Sequence, residues 1–261
     1  MSAFTDRQTA DLVLGAAAEG EQSSAERDSR MSDWQRVTVA LFRIYRPIAA
    51  WFLGMVVVVV TVASVIFSHV SPQSVSLWLI IVGFGSKYWL GIVAVMLISM
   101  QLRSFVANGI SRRAFLAGAG VFSLLAALFF ALLGPIGHAV EYVLLSLFVD
   151  LPAGYPAVSV SGAIGEFGHA LPANLAFLVT GAAVTAGFYR FGGLLGLAVM
   201  IPALVPISVA ESLFNFNDGA EVTTRFMPYA VALLLSLAAT AAGAVLLRFQ
   251  VRDVAIRRTA S

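Results

Sequence analysis

The chain has 261 residues, 59% of them hydrophobic and only 11% charged, with a formal net charge of +2 and a mean hydropathy of +0.90. A water-soluble domain carries about 25% charged residues, so this composition excludes a soluble globular protein and points to one integral membrane domain. Cysteine is absent, which excludes disulfides, thiolate metal sites, a catalytic Cys and Cys lipidation.

Residues 1–33 hold seven acidic residues and three arginines and no long apolar run, and they read as a disordered cytoplasmic tail. No apolar core follows a basic start, so a signal peptide is not expected. The next stretch, "WQRVTVALFRIYRPI", places Trp34, Val37, Leu41, Ile44 and Ile48 at spacings of 3, 4, 3 and 4, an apolar stripe along one helical face. Arg36, Arg43 and Arg46 lie off that stripe. This pattern predicts a helix lying in the cytoplasmic interface with its arginines on lipid phosphates. Pro47 would then open the first span. The alternative is that the segment simply extends that span.

A spanning helix needs about 20 mainly apolar residues. Six stretches qualify, over 47–69, 80–102, 114–136, 170–190, 192–211 and 227–247. The second contains the only lysine, Lys87. A lysine at the bilayer centre costs roughly 3 kcal/mol or more. Gly83, Gly85 and Ser86 therefore predict a break, with 74–84 a short outer-leaflet segment, the span proper at 88–106, and Lys87 at the outer interface beside Tyr88 and Trp89. The functional alternative makes Lys87 an intramembrane cation on a substrate path.

Between the second and third spans stands "ANGISRRAF". Asn108-Gly109 would stop one helix, Ser111 would cap the next, and Arg112 and Arg113 would project from the turn. The third connection is long. Its residues 138–149 are too short to span but apolar enough to lie in the outer interface, and Pro152, Gly154 and Pro156 mark a loop. It carries two i,i+3 pairs, His138 with Glu141 and Glu166 with His169, which together could offer two imidazoles and two carboxylates to a metal. The plainer reading is that these side chains only face water. Small-residue pairs, Ala183/Gly187, Gly192/Gly196 and Ala239/Gly243, predict close helix contacts in the last three spans.

Arginine sets the orientation. Fourteen of the fifteen fall before the first span, in the second and fourth connections, or after the last span; only Arg225 falls on the other side. Positive-inside topology then places both termini in the cytoplasm. The expected fold is all-α integral membrane: a tail at 1–33, a six-helix transmembrane domain at 34–250 preceded by the interfacial helix, and a basic C-terminal tail at 251–261.

The chemistry is defined mostly by exclusion. There is no Gly-Lys-Ser/Thr phosphate loop, no HExxH and no GxSxG, so no catalytic or cofactor-binding residue is assigned and an enzyme is not expected. Glu211, at the outer end of the fifth span, is the nearest thing to a mid-membrane carboxylate, which disfavours a gradient-driven carrier. No internal repeat is evident.

The basic amphipathic lead-in, the short turn "NGISRRAF", the second basic turn "GFYRFGGLLG" and six spans with both ends inside resemble the permease subunits of type-2 ABC exporters. The resemblance covers most of residues 34–250 as a pattern. It departs from the commoner family arrangement in placing its largest external excursion between the third and fourth spans, not the fifth and sixth. The resemblance implies a permease of the bacterial plasma membrane that works as a homodimer or with a second permease. A separate ATPase subunit would dock at Asn108, Gly109, Ser111, Arg112 and Arg113, and no nucleic acid or cofactor would be involved. The alternative is a non-transporting scaffold, sensor or immunity-type protein acting through an external 137–169 loop.

Overall fold

The computed structural model describes residues 31–70, 75–148, 154–216, 222–224 and 227–252; most of the expected N-terminal tail and of the C-terminal one lies outside the described residues. Among the described residues, six helices are long and apolar enough to cross a membrane, the architecture of a multi-pass membrane protein.

Helix α1 (Asp33–Val70) runs unbroken through Pro47, so the separate interfacial helix is not formed. The reason lies in which stripe the bundle buries. Val37, Leu41 and Tyr45, spaced four apart, are buried against the third span, with Phe115, Ala119 and Phe122 in the same core. Trp34, Ile44 and Ile48 remain exposed, as do Arg36, Arg43 and Arg46. The hydroxyl of Thr38 donates to the Gly118 carbonyl at 3.1 Å. A Cβ at Gly118 would sit 2.5 Å from the Trp34 carbonyl, so only glycine lets the two backbones approach.

Helix α2 (Leu77–Ala107) is capped by Ser76, whose hydroxyl oxygen accepts from the Leu79 N–H at 3.2 Å. It does not break at Gly83–Ser86: Ser86 and Lys87 are buried and the helix continues past them. It widens to a π-turn over Leu97–Gln101 and resumes as α over Leu102–Ala107. About 20 residues at 1.5 Å each separate Lys87 from Ala107. That is close to the ~30 Å hydrocarbon thickness, so Lys87 reaches the far boundary without a break in the helix.

Helix α3 (Arg112–Phe148) is likewise continuous through Pro135, so residues 138–148 are not a separate interfacial helix. They extend the third span. Helix α4 (Val160–Phe191) begins at a Ser159 cap and already contains Glu166 and His169. The described part of the long third connection is thus mostly helix. At 37 and 32 residues, α3 and α4 measure about 55 and 48 Å, so both stand proud of a bilayer core of about 30 Å.

The fifth span is two pieces, α5 (Gly193–Ala203) and α6 (Val205–Leu213), interrupted at Leu204 between Pro202 and Pro206. A two-stranded antiparallel ribbon follows, β1 (Phe214–Phe216) with β2 (Val222–Thr224), and then α7 (Tyr229–Arg252). Helix α4 is the most buried span and α1 the least. Its small residues explain why. Ala176, Ala182, Ala183 and Ala186 are buried, and a Cβ at Gly181 would lie 2.5 Å from the Gly91 carbonyl of α2. Glycine at 243 similarly lets α7 close on Pro206 and Val179. Large apolar side chains such as Trp51, Val58, Leu194 and Ile201 stand exposed around the circumference, as a lipid-facing surface requires.

Candidate functional site

Polar chemistry collects at the two ends of the bundle. At the arginine-rich end the turn between α2 and α3 is closed by its own backbone. Asn108 caps α2, Gly109 takes a left-handed φ of +85°, and the Ile110 N–H returns to the Phe105 carbonyl at 3.0 Å. A Cβ is disfavoured at that φ, which is why the chain has glycine there. Ser111 accepts from the Ala114 N–H at 3.2 Å and so starts α3. The two arginines then part company. Arg112 donates from Nη1 to the Arg252 carbonyl at 3.1 Å, while Arg113 stays exposed. Arg190, from the next basic turn, donates to the Phe249 and Gln250 carbonyls at 2.5 and 3.3 Å. Two guanidiniums therefore satisfy the last carbonyls of α7 and oppose the negative end of its dipole. Arg103 stacks 4.5 Å over the Tyr189 ring.

The opposite end carries acids and imidazoles, but not as a metal cage. The Glu141 carboxylate accepts the Ser76 hydroxyl, the Tyr155 hydroxyl at 3.0 Å and, more weakly, the Trp78 N–H at 3.3–3.4 Å. It thus sits on the N-terminus of α2, where an anion is favoured. Burial, and after it the neighbouring Glu141, push the Tyr155 hydroxyl well above its usual pKa of 10. His138 pairs across helices with Glu166, Nδ1 to Oε1 at 2.7 Å, and both side chains are almost fully buried. His169 instead packs edge-on to Phe214 with ring centroids 6.0 Å apart. The two i,i+3 pairs are therefore split among different partners, and His138, Glu141 and Glu166 are buried rather than turned to water as the plainer reading expects. Among the described residues no group of three or more His or acidic side chains is arranged to hold a metal.

Lys87 is neutralised in place. Its ammonium lies 2.7 Å from Glu211 Oε1, 4.8 Å over the Phe84 ring and 5.5 Å from the Phe177 ring. Between α2, α3 and α4 it borders a cleft of about 60 Å³, large enough for a few waters or a small head group. Glu166, His169, Ser86 and Asn174 supply its polar wall; Leu79, Val82 and Phe130 are among its apolar ones. Asn174 is anchored to Ser86 and to the Ala127 carbonyl by long hydrogen bonds of 3.4 Å. The second oxygen of Glu166 is buried and has no hydrogen-bond partner.

The capping roles of Asn108, Gly109 and Ser111 were readable from the sequence, and the turn has them. Ser76, Trp78, Tyr155 and Asn174 were missed. Ser76 left a signal, a serine just ahead of an apolar run. Its partner Glu141 is 65 residues away, and periodicity cannot read such a distance. Comparison of the chain with family models, with curated proteins and with solved structures finds no match.

Proposed function

We propose that the chain is the permease subunit of an ATP-driven exporter of the bacterial plasma membrane, with ATP hydrolysis supplied by a separate ATPase subunit. The observation that carries this reading is the turn at 108–111. It is short, closed by its own hydrogen bonds, and presents Arg113 outward from the end where the arginines gather. On the positive-inside rule that end is cytoplasmic, which is where an ATPase could reach it. Through the Arg112 contact to Arg252, a push on the turn bears on α2, α3 and α7 together. A partner permease, identical or not, would complete a symmetric path.

Purification of the tagged chain from its native membranes in mild detergent tests the reading. An ATPase subunit carrying the nucleotide loop that this chain lacks should co-purify. Arg113→Ala should weaken that capture and flatten its salt dependence while leaving thermal stability unchanged. Arg112→Ala should also lower stability, because α7 loses a cap. If no ATPase is captured, or if a protein with both Arg112→Ala and Arg113→Ala captures it undiminished, the docking role fails and the arginines only set topology. Capture of an external partner through residues 137–169, with no ATPase, would support the scaffold or sensor alternative.

A further inference from the structure

The cleft at the acidic end has a chemical preference. Glu166 is only 5% exposed, lines the cleft, and keeps one carboxylate oxygen without a donor. A buried acceptor left unpaired is costly, so the cleft is short of a hydrogen-bond donor. The local charge agrees. The described acidic side chains at this end, Glu141, Glu166 and Glu211, outnumber its one lysine, Lys87, and Lys87 is already paired with Glu211. An anionic head group would have to displace Glu211 and then face Glu166. Phe84 and Phe130 line the cleft, and aromatic rings suit a cation better than an anion, as the Lys87 ammonium 4.8 Å over the Phe84 ring illustrates. Size narrows the class further: about 60 Å³ accepts a head group of a few heavy atoms, not a whole drug-sized molecule. On the rim, Ile80 and Phe84 are 37% and 55% exposed, and an alkyl chain could leave the cleft along them.

We propose that this cleft binds the ammonium head group of a lipophilic primary amine, which donates an N–H to the free oxygen of Glu166 while its chain runs over Ile80 and Phe84 into lipid. The binding stands independently of the permease reading; only the further step, that such an amine is the exported cargo, rests on it.

The test uses the full chain in zwitterionic lipid nanodiscs, with empty nanodiscs subtracted and no ATPase present. Dodecylammonium, dodecyltrimethylammonium, dodecanol and dodecyl sulfate are titrated calorimetrically. Dodecylammonium should bind saturably at one site per chain. The trimethyl compound, which has no N–H, should bind about tenfold more weakly or worse, and the alcohol and sulfate should only partition as they do into empty discs. Glu166→Gln should weaken dodecylammonium by about tenfold or more, the scale of a lost hydrogen bond to a charged group. Partitioning of dodecylammonium no different from empty discs overturns the proposal. So does saturable binding of dodecyl sulfate, which would assign the cleft to Lys87, or undiminished binding by a folded Glu166→Gln protein. Should that variant fail to fold, the head-group series on the wild-type chain decides alone. Failure here leaves ATPase capture untouched, and failure of capture leaves this titration untouched.

Discussion

Replacing Glu141 with alanine isolates the joint that ties α2, α3 and the loop before α4. The carboxylate takes the Ser76 and Tyr155 hydroxyls and the weaker Trp78 N–H, and it lies against the positive end of the α2 dipole. In water, a hydrogen bond to a charged group contributes about 1.5–3 kcal/mol. Between helices in a membrane the mean is only about 0.6 kcal/mol, with a maximum near 1.7. Ser76 and Tyr155 both lie outside the spanning segments, although buried, so a value between these scales applies to each. Two good bonds and a dipole contact then give a loss of roughly 2–4 kcal/mol. On the scaling for domains of this size, about 2–4 °C per kcal/mol, that is a drop in thermal midpoint of roughly 4–16 °C, measured on detergent-solubilised or nanodisc protein. Glu141→Gln keeps an acceptor and should lose about half as much. Tyr155→Phe removes one of the stranded donors, so Glu141→Ala combined with Tyr155→Phe should cost less than the two single changes added. A Glu141→Ala midpoint within about 1 °C of wild type, or strict additivity in the cycle, would refute the reasoning that this carboxylate holds the joint.

At Gly137 a Cβ would overlap the Trp78 indole, whose Nε1 donates to the Leu133 carbonyl at 2.9 Å. Gly137→Ala should therefore displace the ring and destabilise by about 1–3 kcal/mol, with a shift in tryptophan emission; an unchanged spectrum and midpoint would show that the contact is loose. The pH response of Tyr155 follows from its raised pKa. The folded chain favours the neutral hydroxyl, so its contribution is intact below about pH 10 and lost as pH rises through the higher folded value. Wild type should lose stability above pH 10 faster than Tyr155→Phe, and parallel alkaline limbs would contradict this. For topology, Val160 is 79% exposed and the native chain has no cysteine. A Val160→Cys protein should react with an impermeant maleimide on intact cells, and labelling only after permeabilisation would invert the orientation.

Class and punctuation were legible in the amino-acid sequence. Six apolar stretches, the arginine distribution, the Asn108-Gly109 stop and the Ser111 cap are local signals, each decided by a handful of consecutive residues and by the cost of putting charge or bare backbone in lipid. What failed were inferences that a local feature must break a helix. Pro47 and Gly83–Ser86 both sit inside continuous helices, because a proline costs one backbone hydrogen bond and a glycine only propensity, whereas breaking the helix in an apolar surrounding would leave several backbone groups unpaired. The interfacial stripe failed for a related reason. Trp34, Ile44 and Ile48 share an apolar face with Val37 and Leu41, but the third span chose the 37/41/45 side, and no one-dimensional pattern says which apolar residues meet protein and which meet lipid. The same holds for the polar residues. Sequence spacing put His138 with Glu141 and Glu166 with His169, one helical turn apart. Tertiary structure paired His138 with Glu166, Glu141 with Ser76 and Tyr155, and Lys87 with Glu211, because a buried charge is satisfied by whatever partner the packing of other helices brings to its depth.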